Sequence, residues 1–474
     1  MKPIYADLKH NSDAPLYVQL YDIIRSGILG GDMRAGERLP SLRSLSAQLD
    51  VSITTCARAY DQLYLEGYLD ARPNSGYYVR KVTGPDRTGE KTPLRETADN
   101  PDTPGIHIKE TESTGTVSGD PAYRCDPESF DFSKWRKCFT WVMNNSPEVL
   151  LSPQDPQGEY DLRKEISGYL YTARGVTASP EDIVIGAGVQ QLTSRLAKML
   201  REFSIDIINV EDPGYRPVRH IFRDMDFTLN KIPVGTDGLE IEKLPENIET
   251  AVYVSPSNQF PTGSVMPADR RYQLLEWARR NSSVIIEDDY DSELRYFGNP
   301  VPALKNIDST GCVVYLGSFS STLFPAIRIS YMVLPERLSI LFRGIRNEYD
   351  QTCSKIEQLV LAEFMKNGFY QAGIRKIRKL YAGKLDKLIE AFTRYGGDIV
   401  HAENTKSGIS IRLEVMSACS PSELCEEAEK LRLHIVPVHE KTRTPGKAEL
   451  ILYYDQIPLN EINEAVRGLC SAWA

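Results

Sequence analysis

Short apolar runs alternate with segments of helical periodicity from about residue 121 to residue 350 of this 474-residue chain. The runs are rich in Val and Ile, and they lie at residues 183–185, 205–210, 251–254, 284–286 and 313–316. Such alternation is typical of a largely parallel sheet with helices on both faces. The sequence therefore predicts an α/β fold whose ligands bind at the carboxyl ends of the strands.

Acidic and aromatic residues follow three of these runs, at residues 211–215, 255–263 and 287–293. Each has an ordinary structural alternative. Tyr215 could be a packing tyrosine, and Asp288 could cap a helix or pair with a cation. The acids near Asp288 could bind a metal, although carboxylates alone rarely select one.

Two stretches favour phosphate binding. Residues 186–191 (Gly-Ala-Gly-Val-Gln-Gln) form a Gly-rich turn before a helix predicted over 192–200, and helix N-termini bind anions through free N–H groups. Residues 317–328 are rich in hydroxyls and end in Arg328, between predicted strands at 312–316 and 329–334. Hydroxyls and a guanidinium suit a phosphate, although a capped turn with a surface arginine fits the same residues.

Together, these features predict a site for a pyridine phosphate. An aromatic face would stack on the ring, and a carboxylate would keep the ring nitrogen protonated. A tyrosine would donate to the ring hydroxyl, and the Gly-rich turn would hold the phosphate.

The first 80 residues form a separate predicted unit. Three helices with a tight connection after the second are followed by a hairpin over residues 68–79, which is the winged helix-turn-helix layout. The side chains placed to contact DNA are Arg43, Ser52, Thr54, Thr55 and Arg58. A small helical interaction module is the alternative.

Charge and composition limit the function further. The net charge is −9, and the first 80 residues carry nine Lys and Arg against nine Asp and Glu. DNA binding must therefore depend on local placement of charge. The eight cysteines are dispersed without a C-x-x-C pair, which favours reduced thiols in the cytoplasm over disulfides or zinc.

We expect neither a secretory signal nor a membrane span, since no apolar run is long enough. Residues 81–119 are rich in Thr, Pro, Gly, Asp and Glu, which predicts a flexible linker. Such a linker would let the first unit sit against its own chain or against a partner.

Three separated pieces of the first unit resemble the GntR-type winged-helix signature: residues 15–20, 35–43 and 76–79. The resemblance implies that residues 1–80 bind operator DNA through Arg43, Ser52, Thr54, Thr55 and Gly76. The sequence departs from the family pattern V-S-R-x-T, because Ile53 stands where the family often has arginine.

The remainder, residues 120–474, resembles fold-type I aminotransferases in the form found in the MocR and GabR regulators, with a large part over about 120–350 and a small part over about 351–474. The resemblance rests on the motifs V-E-D-P-G-Y, S-x-Q-F-P-T-G, E-D-D-Y-D-S-E and G-S-F-S-S-T-L-F-P-A-I-R. It implies that this domain binds pyridoxal phosphate and forms a homodimer. The implied cofactor contacts are the stacking ring of Tyr215, the polar Asn258, the carboxylate of Asp288, the phenol of Tyr290, and the phosphate ligands Gly188, Val189, Gln190, Ser318, Ser320 and Arg328.

One position decides how much chemistry follows from this resemblance. Ser321 stands where these regulators carry the lysine that forms a Schiff base, and a hydroxyl cannot form an imine or shuttle the proton of transamination. The R-[IL]-x-[FY] strand that holds a substrate carboxylate is also absent, since residues 450–453 read Leu-Ile-Leu-Tyr. An engineered substitution at position 321 would give the same sequence.

We therefore predict a DNA-binding transcription regulator that senses a small molecule through an aminotransferase-like domain without catalytic residues. Its ligand would be pyridoxal phosphate, bound without a covalent link, or a related phosphorylated or amino compound. The alternatives are a pyridoxal-phosphate-dependent aminotransferase with a fused DNA-binding domain, and a scaffold that has lost both ligand and operator.

Overall fold

The structure is a computed structural model that describes residues 15–72, 76–80, 126–296, 302–403, 408–438 and 446–473. The linker predicted over residues 81–119 lies outside the described residues. The described part holds three sheets and a set of helices that divides into an N-terminal unit, a large α/β part and a smaller C-terminal α/β part.

The N-terminal unit has the predicted three helices and hairpin. Its elements are α1 (Leu16–Leu29), α2 (Leu42–Leu49), α3 (Ile53–Leu65), β1 (Leu69–Arg72) and β2 (Gly76–Val79). The hydroxyls of Ser41 and Ser52 accept from the amides of Ser44 and Thr55, at 3.2 and 3.0 Å, and so cap α2 and α3. Asp50 ends α2 in the left-handed region.

The large part is built on an eight-stranded sheet in the order β3-β10-β9-β8-β7-β4-β5-β6. The strands are β3 (Ile183–Gly186), β4 (Ile207–Asp212), β5 (Thr228–Gly235), β6 (Gly238–Leu239), β7 (Ala251–Val254), β8 (Val284–Asp288), β9 (Val313–Ser318) and β10 (Ser330–Val333). Strands β9, β8, β7, β4 and β5 run parallel, whereas β10 is antiparallel to both of its neighbours. The predicted α/β class and largely parallel sheet are confirmed.

Helices cover both faces of this sheet. They are α4 (Phe132–Asn145), α5 (Pro147–Leu150), α6 (Tyr160–Arg174), α7 (Val189–Arg201), α8 (Arg216–Asp224), α9 (Ala268–Arg280), α10 (Leu304–Ile307), α11 (Glu336–Ile345), α12 (Lys355–Lys366) and α13 (Phe369–Tyr395). In β3, Ile183 and Ile185 join one apolar core while Val184 joins another, as expected for a strand buried on both faces.

The prediction for α7 was wrong at its start. The helix begins at Val189 and not at residue 192, because Gly188 (φ +93°) makes the whole turn and the helix follows at once. After Val189 the first turn continues with Gln190 and Gln191, which are partly or fully exposed, so it carries little apolar periodicity.

The small part packs an antiparallel sheet, in the order β11-β12-β14-β13, against the long helix α13. Its strands and remaining helices are β11 (Val400–Glu403), β12 (Ser410–Met416), α14 (Pro421–Lys430), β13 (Ile435–Pro437), β14 (Lys447–Tyr453) and α15 (Ile462–Trp473). Across the described ranges of all three parts, no helix has the length and apolar character that a membrane crossing requires.

Candidate functional site

Gly188 and Arg328 meet at one edge of the large sheet. A Cβ built on Gly188 would overlap Nη2 of Arg328, so only glycine allows the guanidinium this close to the backbone. Val189 and Gln190 follow in the first turn of α7, where N–H groups have no acceptor within the helix. The Arg328 guanidinium thus lies beside the free amides at the start of α7, an arrangement that suits a phosphate.

Ser318 and Ser320 lie at the same edge. Ser330 pairs with both Gly186 and Ser318 across neighbouring strands, which brings the end of β9 beside the turn before α7. The Ser318 hydroxyl accepts from the Ser330 hydroxyl at 3.0 Å and from the Ser320 amide at 3.3 Å. We call this group the Gly188 end of the candidate site: Gly188, Val189, Gln190, Ser318, Ser320 and Arg328.

Asp288 ends the central strand β8, and its carboxyl is buried. Tyr253 on the adjacent strand β7 donates to its Oδ2 at 2.6 Å. Burial raises the pKa of Asp288 to about 7, and the hydrogen bond from Tyr253 opposes that rise. A cation placed against this carboxyl, such as a protonated pyridine nitrogen, would draw the proton off it.

Three strand-end loops converge through their aromatic rings. Tyr215 follows β4 and caps α8, Phe260 follows β7, and Tyr290 follows β8. The ring centroids of Tyr215 and Phe260 are 6.3 Å apart, and those of Phe260 and Tyr290 are also 6.3 Å apart. The structure therefore brings the predicted Tyr215 and Tyr290 to one site through a third ring that the sequence did not single out.

A cleft of about 220 Å³ opens beside these loops, between the large part and the small part. Its walls include Pro213, Arg216, Phe260, Pro437 and Val438. Arg216, Arg219 and Lys231 also line it, against the single acid Asp212, so the mouth of the cleft favours anions.

Asn258 is buried where the large part meets the small part. Its Nδ2 would be 3.4 Å from a Cβ built on Gly408. The carbonyl of Gly408 accepts from the hydroxyls of Tyr454, at 2.6 Å, and of Tyr296. Asn258 therefore lies against the Gly408 segment of the small part.

Ser321 hydrogen-bonds the carboxyl of Asp291, which follows Tyr290 and adopts a positive φ of 55°. Burial raises the pKa of Asp291 to about 6, and the Ser321 bond opposes it. Asp291 also acts electrostatically on Asp288, Tyr296 and Asp455. We call the following group the Ser321 end of the candidate site: Ser321, Asp291, Asp455 and Asn258.

Most of the residues predicted to contact DNA are exposed to solvent in the N-terminal unit. Arg43, Ser52, Thr54 and Arg58 are exposed, Thr55 is half-buried, and Gly76 opens β2 with φ +103°. Ser52 and Thr55 bond each other at 2.8 Å, so both serve the cap of α3 as well. Ile53 is 49% exposed at the start of α3, so it places an apolar side chain in solvent beside Ser52 and Thr54.

Comparison with known proteins agrees with both parts of the chain. Residues 16–79 match the family of bacterial regulatory proteins, gntR family, and residues 136–412 match aminotransferase class I and II. The HTH-type transcriptional regulator YdeL of Bacillus subtilis is 38% identical over 476 residues, covering 98% of each chain. The chain belongs to the gntR-type regulators with an aminotransferase domain.

A more distant regulator and a solved enzyme support this assignment. The probable rhizopine catabolism regulatory protein MocR of Rhizobium meliloti is 30% identical, covering 98% of this chain and 95% of its own. Pyrococcus horikoshii kynurenine aminotransferase, solved in complex with PMP, superimposes with a TM-score of 0.63 at 25% identity, over 73% of this chain and 88% of the enzyme. The two domains together fit a ligand-sensing transcriptional regulator.

In this gntR-type regulator the winged-helix unit packs against α9 of the large part. The amide of Ala268 donates to the carbonyl of Glu66 at 2.7 Å, and a Cβ on Gly67 would lie 2.8 Å from Pro267. The Glu66 carboxyl is buried and accepts from Tyr21 at 2.5 Å and from Gln62. Burial raises its pKa, while Tyr21, Gln62, Arg25 and Arg271 lower it.

Arg271 connects this junction to the loop that carries Asn258. Its Nη2 donates at 2.8 Å to the carbonyl of Pro256, two residues before Asn258, and its Nε donates at 2.9 Å to the carbonyl of Met266. The winged-helix unit therefore touches the helix that holds the Asn258 loop.

Sequence reasoning missed Tyr253, Phe260 and Asp291 as parts of the site. Tyr253 is the one tyrosine in an otherwise aliphatic buried strand, and it aligns with the residues just before Asp288 on the next strand. That pattern could have identified it. Asp291 stands inside an acidic run, and only the folded chain shows that it meets Ser321.

Proposed function

We propose that this regulator binds operator DNA through its winged helix and senses pyridoxal phosphate, or a related phosphorylated amino compound, bound without a covalent link. The observation that carries the proposal is the apposition of Gly188 and Arg328, since a space that a single Cβ would fill is kept open under a guanidinium. That arrangement fits a phosphate group.

The residues that would hold the ligand come from separate strand ends. The Gly188 end would bind the phosphate, Tyr215 would stack on the ring, and Asp288 would pair with the ring nitrogen. Tyr290 would donate to the ring hydroxyl, and Asn258 would contact the substituents near the small part. These assignments are proposals supported by the convergence of the loops.

When bound, a pyridoxal group supplies an electron sink for carbanion chemistry. Ser321 offers a neutral hydroxyl at the place where an amine base would be needed, and that hydroxyl is already engaged by Asp291. We infer that this chain retains binding and lacks transamination. Its relatives YdeL and MocR are named as regulators, which supports the same conclusion.

We further propose that the chain forms a homodimer. A set of large apolar side chains lies exposed on and after α4, with Leu151 89% exposed: Phe132, Phe139, Trp141, Met143, Val149 and Leu151. An exposed apolar surface of this kind marks an interaction site. Two winged helices on one dimer would contact two half-sites on DNA, and we expect this to occur in the cytoplasm.

The ligand can act on DNA binding only by binding two arrangements of the protein with different affinity. The test is a fluorescence-anisotropy titration of the full chain on the DNA upstream of its own gene, with and without pyridoxal phosphate. We expect specific binding whose affinity changes severalfold with the ligand. Arg43→Ala should weaken binding about tenfold, because it removes a charged DNA contact.

Two results would contradict the proposal: DNA binding that is equal for unrelated sequences, or transamination of an amine substrate by the unmodified chain. The second would favour the enzyme alternative.

A further inference from the structure

We propose that the cleft between the large part and the small part binds a small organic acid. The carboxylate would lie against Arg219 and Lys231, and the apolar body of the acid against Phe260 and Pro437. None of the residues of the Gly188 end lines this cleft. The inference therefore goes beyond the proposed function, because it assigns a second ligand, of different chemistry, to a different set of side chains.

Positive charge lines one wall of the cleft. Arg216 and Arg219 stand three residues apart on α8, a spacing that places them on one face of the helix. Lys231 comes from the adjacent strand β5, where it pairs with Val210 of β4. Among the described residues that line the cleft, Asp212 is the only acid. The wall therefore carries a net positive charge.

Arg219 keeps hydrogen-bonding capacity for a ligand. Its Nη2 donates to the backbone carbonyl of Glu211 and lies 3.2 Å from Oδ1 of Asp212. Its Nε is buried without an acceptor in the part of the chain that the structure describes. A guanidinium has five donors, and buried donors are normally paired. Because both contacts are made through Nη2, the guanidinium can still take a further acceptor, and carboxylates match its planar fork.

Lys231 supplies the charge for that acceptor. It is exposed, and no carboxylate oxygen of a described residue lies within the 4.0 Å of an ion pair with its ammonium. Arg219 is paired with Asp212, and Arg216 has a partner of its own. Burial raises the pKa of the nearby Glu211 to about 8, so that acid adds no negative charge at neutral pH. One uncompensated ammonium fits a singly charged carboxylate better than a doubly charged phosphate.

Apolar side chains form the rest of the cleft. Pro213, Phe260 and Pro261 belong to the large part, and Pro437 and Val438 belong to the small part. The volume of about 220 Å³ is below the roughly 300–1,000 Å³ of pockets that take drug-sized ligands. The cleft therefore suits a molecule of about one ring with a short acidic arm.

A bound acid would contact both parts of the domain. Phe260 lines the cleft, and its ring centroid is 6.3 Å from those of Tyr215 and Tyr290. A ligand that touches both parts binds best when they are close together, so it favours that arrangement. The acid would thereby act next to the strand-end loops that carry the two tyrosines.

The test is calorimetric titration of the full chain near neutral pH with 3-phenylpropanoate and with its uncharged amide, 3-phenylpropanamide. We expect the acid to bind at least about tenfold more tightly than the amide, since hydrogen bonds to a charged group are the stronger ones. Acetate should bind about tenfold more weakly than 3-phenylpropanoate, because it buries no apolar body. Phenyl phosphate, the doubly charged analogue, should also bind more weakly.

Matched variants locate the binding. Lys231→Met removes the ammonium and keeps the apolar stem, and it should lower the affinity for the acid about fivefold and leave that for the amide unchanged. Arg219→Lys keeps the charge but loses the planar fork, and it should have an effect of about the same size. Lys164→Met is the control, because it removes an exposed lysine of α6 that lies outside the cleft.

The acid site is refuted if 3-phenylpropanoate does not bind, if it binds no better than the amide, or if phenyl phosphate binds more tightly. The same conclusion follows if Lys231→Met and Lys164→Met have equal affinity for the acid. Titration with pyridoxine phosphate, which carries the phosphate without an aldehyde, tests the proposed function separately. It should bind Lys231→Met as it binds the unmodified chain, and its failure to bind either would leave the acid site standing.

Discussion

The Gly188 end and the Ser321 end, which we propose belong to one ligand site, differ in the charge of their side chains. At the Gly188 end, an exposed arginine in the left-handed region lies over a glycine, beside free helix amides. At the Ser321 end, buried carboxyls meet hydroxyls, and their pKa values are raised by burial. The Gly188 end suits an anion, whereas the Ser321 end has no amine at position 321 that could react with an aldehyde. The two ends therefore differ in the charge of the ligand group that each would accept.

Restoring an amine at the Ser321 end is the strongest way to test this contrast. In Ser321→Lys we expect pyridoxal phosphate to become attached covalently and in stoichiometric amount, because an amine would then stand beside the aldehyde. Borohydride reduction followed by mass spectrometry of peptides measures the attachment on the introduced lysine.

The unmodified chain, treated in the same way, should show no attachment within the 317–328 segment. The contrast between the two ends is wrong if Ser321→Lys binds the ligand but never becomes labelled, or if a native lysine of the unmodified chain is labelled in the pocket.

Closing the space at the Gly188 end should have the next largest effect. Gly188→Ala places a Cβ against Arg328 and a side chain at φ +93°. We expect the affinity for pyridoxine phosphate to fall about 100-fold, since hydrogen bonds to charged groups contribute about 1.5–3 kcal/mol each. Calorimetry measures the loss.

Gly168→Ala is the matched control, because a Cβ on this glycine of α6 meets nothing within 4 Å. Equal affinities in the two alanine variants would refute the assignment of the phosphate to this end.

The buried carboxyls around the candidate site also predict a dependence of stability on pH. Burial raises the pKa of Glu211 to about 8, of Asp288 and Asp455 to about 7, and of Asp291 to about 6. Unfolded carboxyls titrate near pH 4. As pH rises from 4 to 8, the unfolded chain therefore releases these protons first, and the free energy of unfolding falls.

We expect the ligand-free protein to lose about 1–3 kcal/mol of stability between pH 5.5 and 8, measured by urea unfolding at several pH values. Asp291→Asn and Asp288→Asn should flatten the curve. A stability that increases over this range would show that these acids are ionised and paired in the folded state.

We expect the smallest effect from a change at the junction between the winged-helix unit and α9. This junction is linked to the Asn258 loop through α9. Tyr272 of α9 hydrogen-bonds Tyr68, next to the Glu66 junction. Tyr272→Phe removes that bond, worth about 1 kcal/mol, and should reduce the effect of the ligand on DNA affinity about threefold. Anisotropy titrations with and without pyridoxal phosphate measure the ratio.

Tyr64→Phe serves as the control, since Tyr64 is an exposed tyrosine on α3. A ligand effect that is the same in Tyr272→Phe as in the unmodified chain would exclude this contact from the coupling.

Much of the fold could be predicted because local patterns carry it. Strand runs such as 251–254 are continuous and apolar, and Ser41 and Ser52 lie where helix caps form. The place of β10, inserted antiparallel between β3 and β9, could not be predicted, because a strand as short as Ser330–Val333 fits either direction. The start of α7 was misplaced because Gln190 and Gln191 interrupt the apolar pattern in its first turn.

The sequence by itself determined the two domains, the strand-end motifs, Gly188 as the glycine of the helix turn, and the absence of an amine at position 321. These depend on residue type and on neighbours in the chain. Only the tertiary structure decided that Tyr253 donates to Asp288, that Ser321 bonds Asp291, and that Arg219 and Pro437 line one cleft. Those facts depend on burial and on contacts between residues far apart in sequence, which periodicity and spacing do not encode.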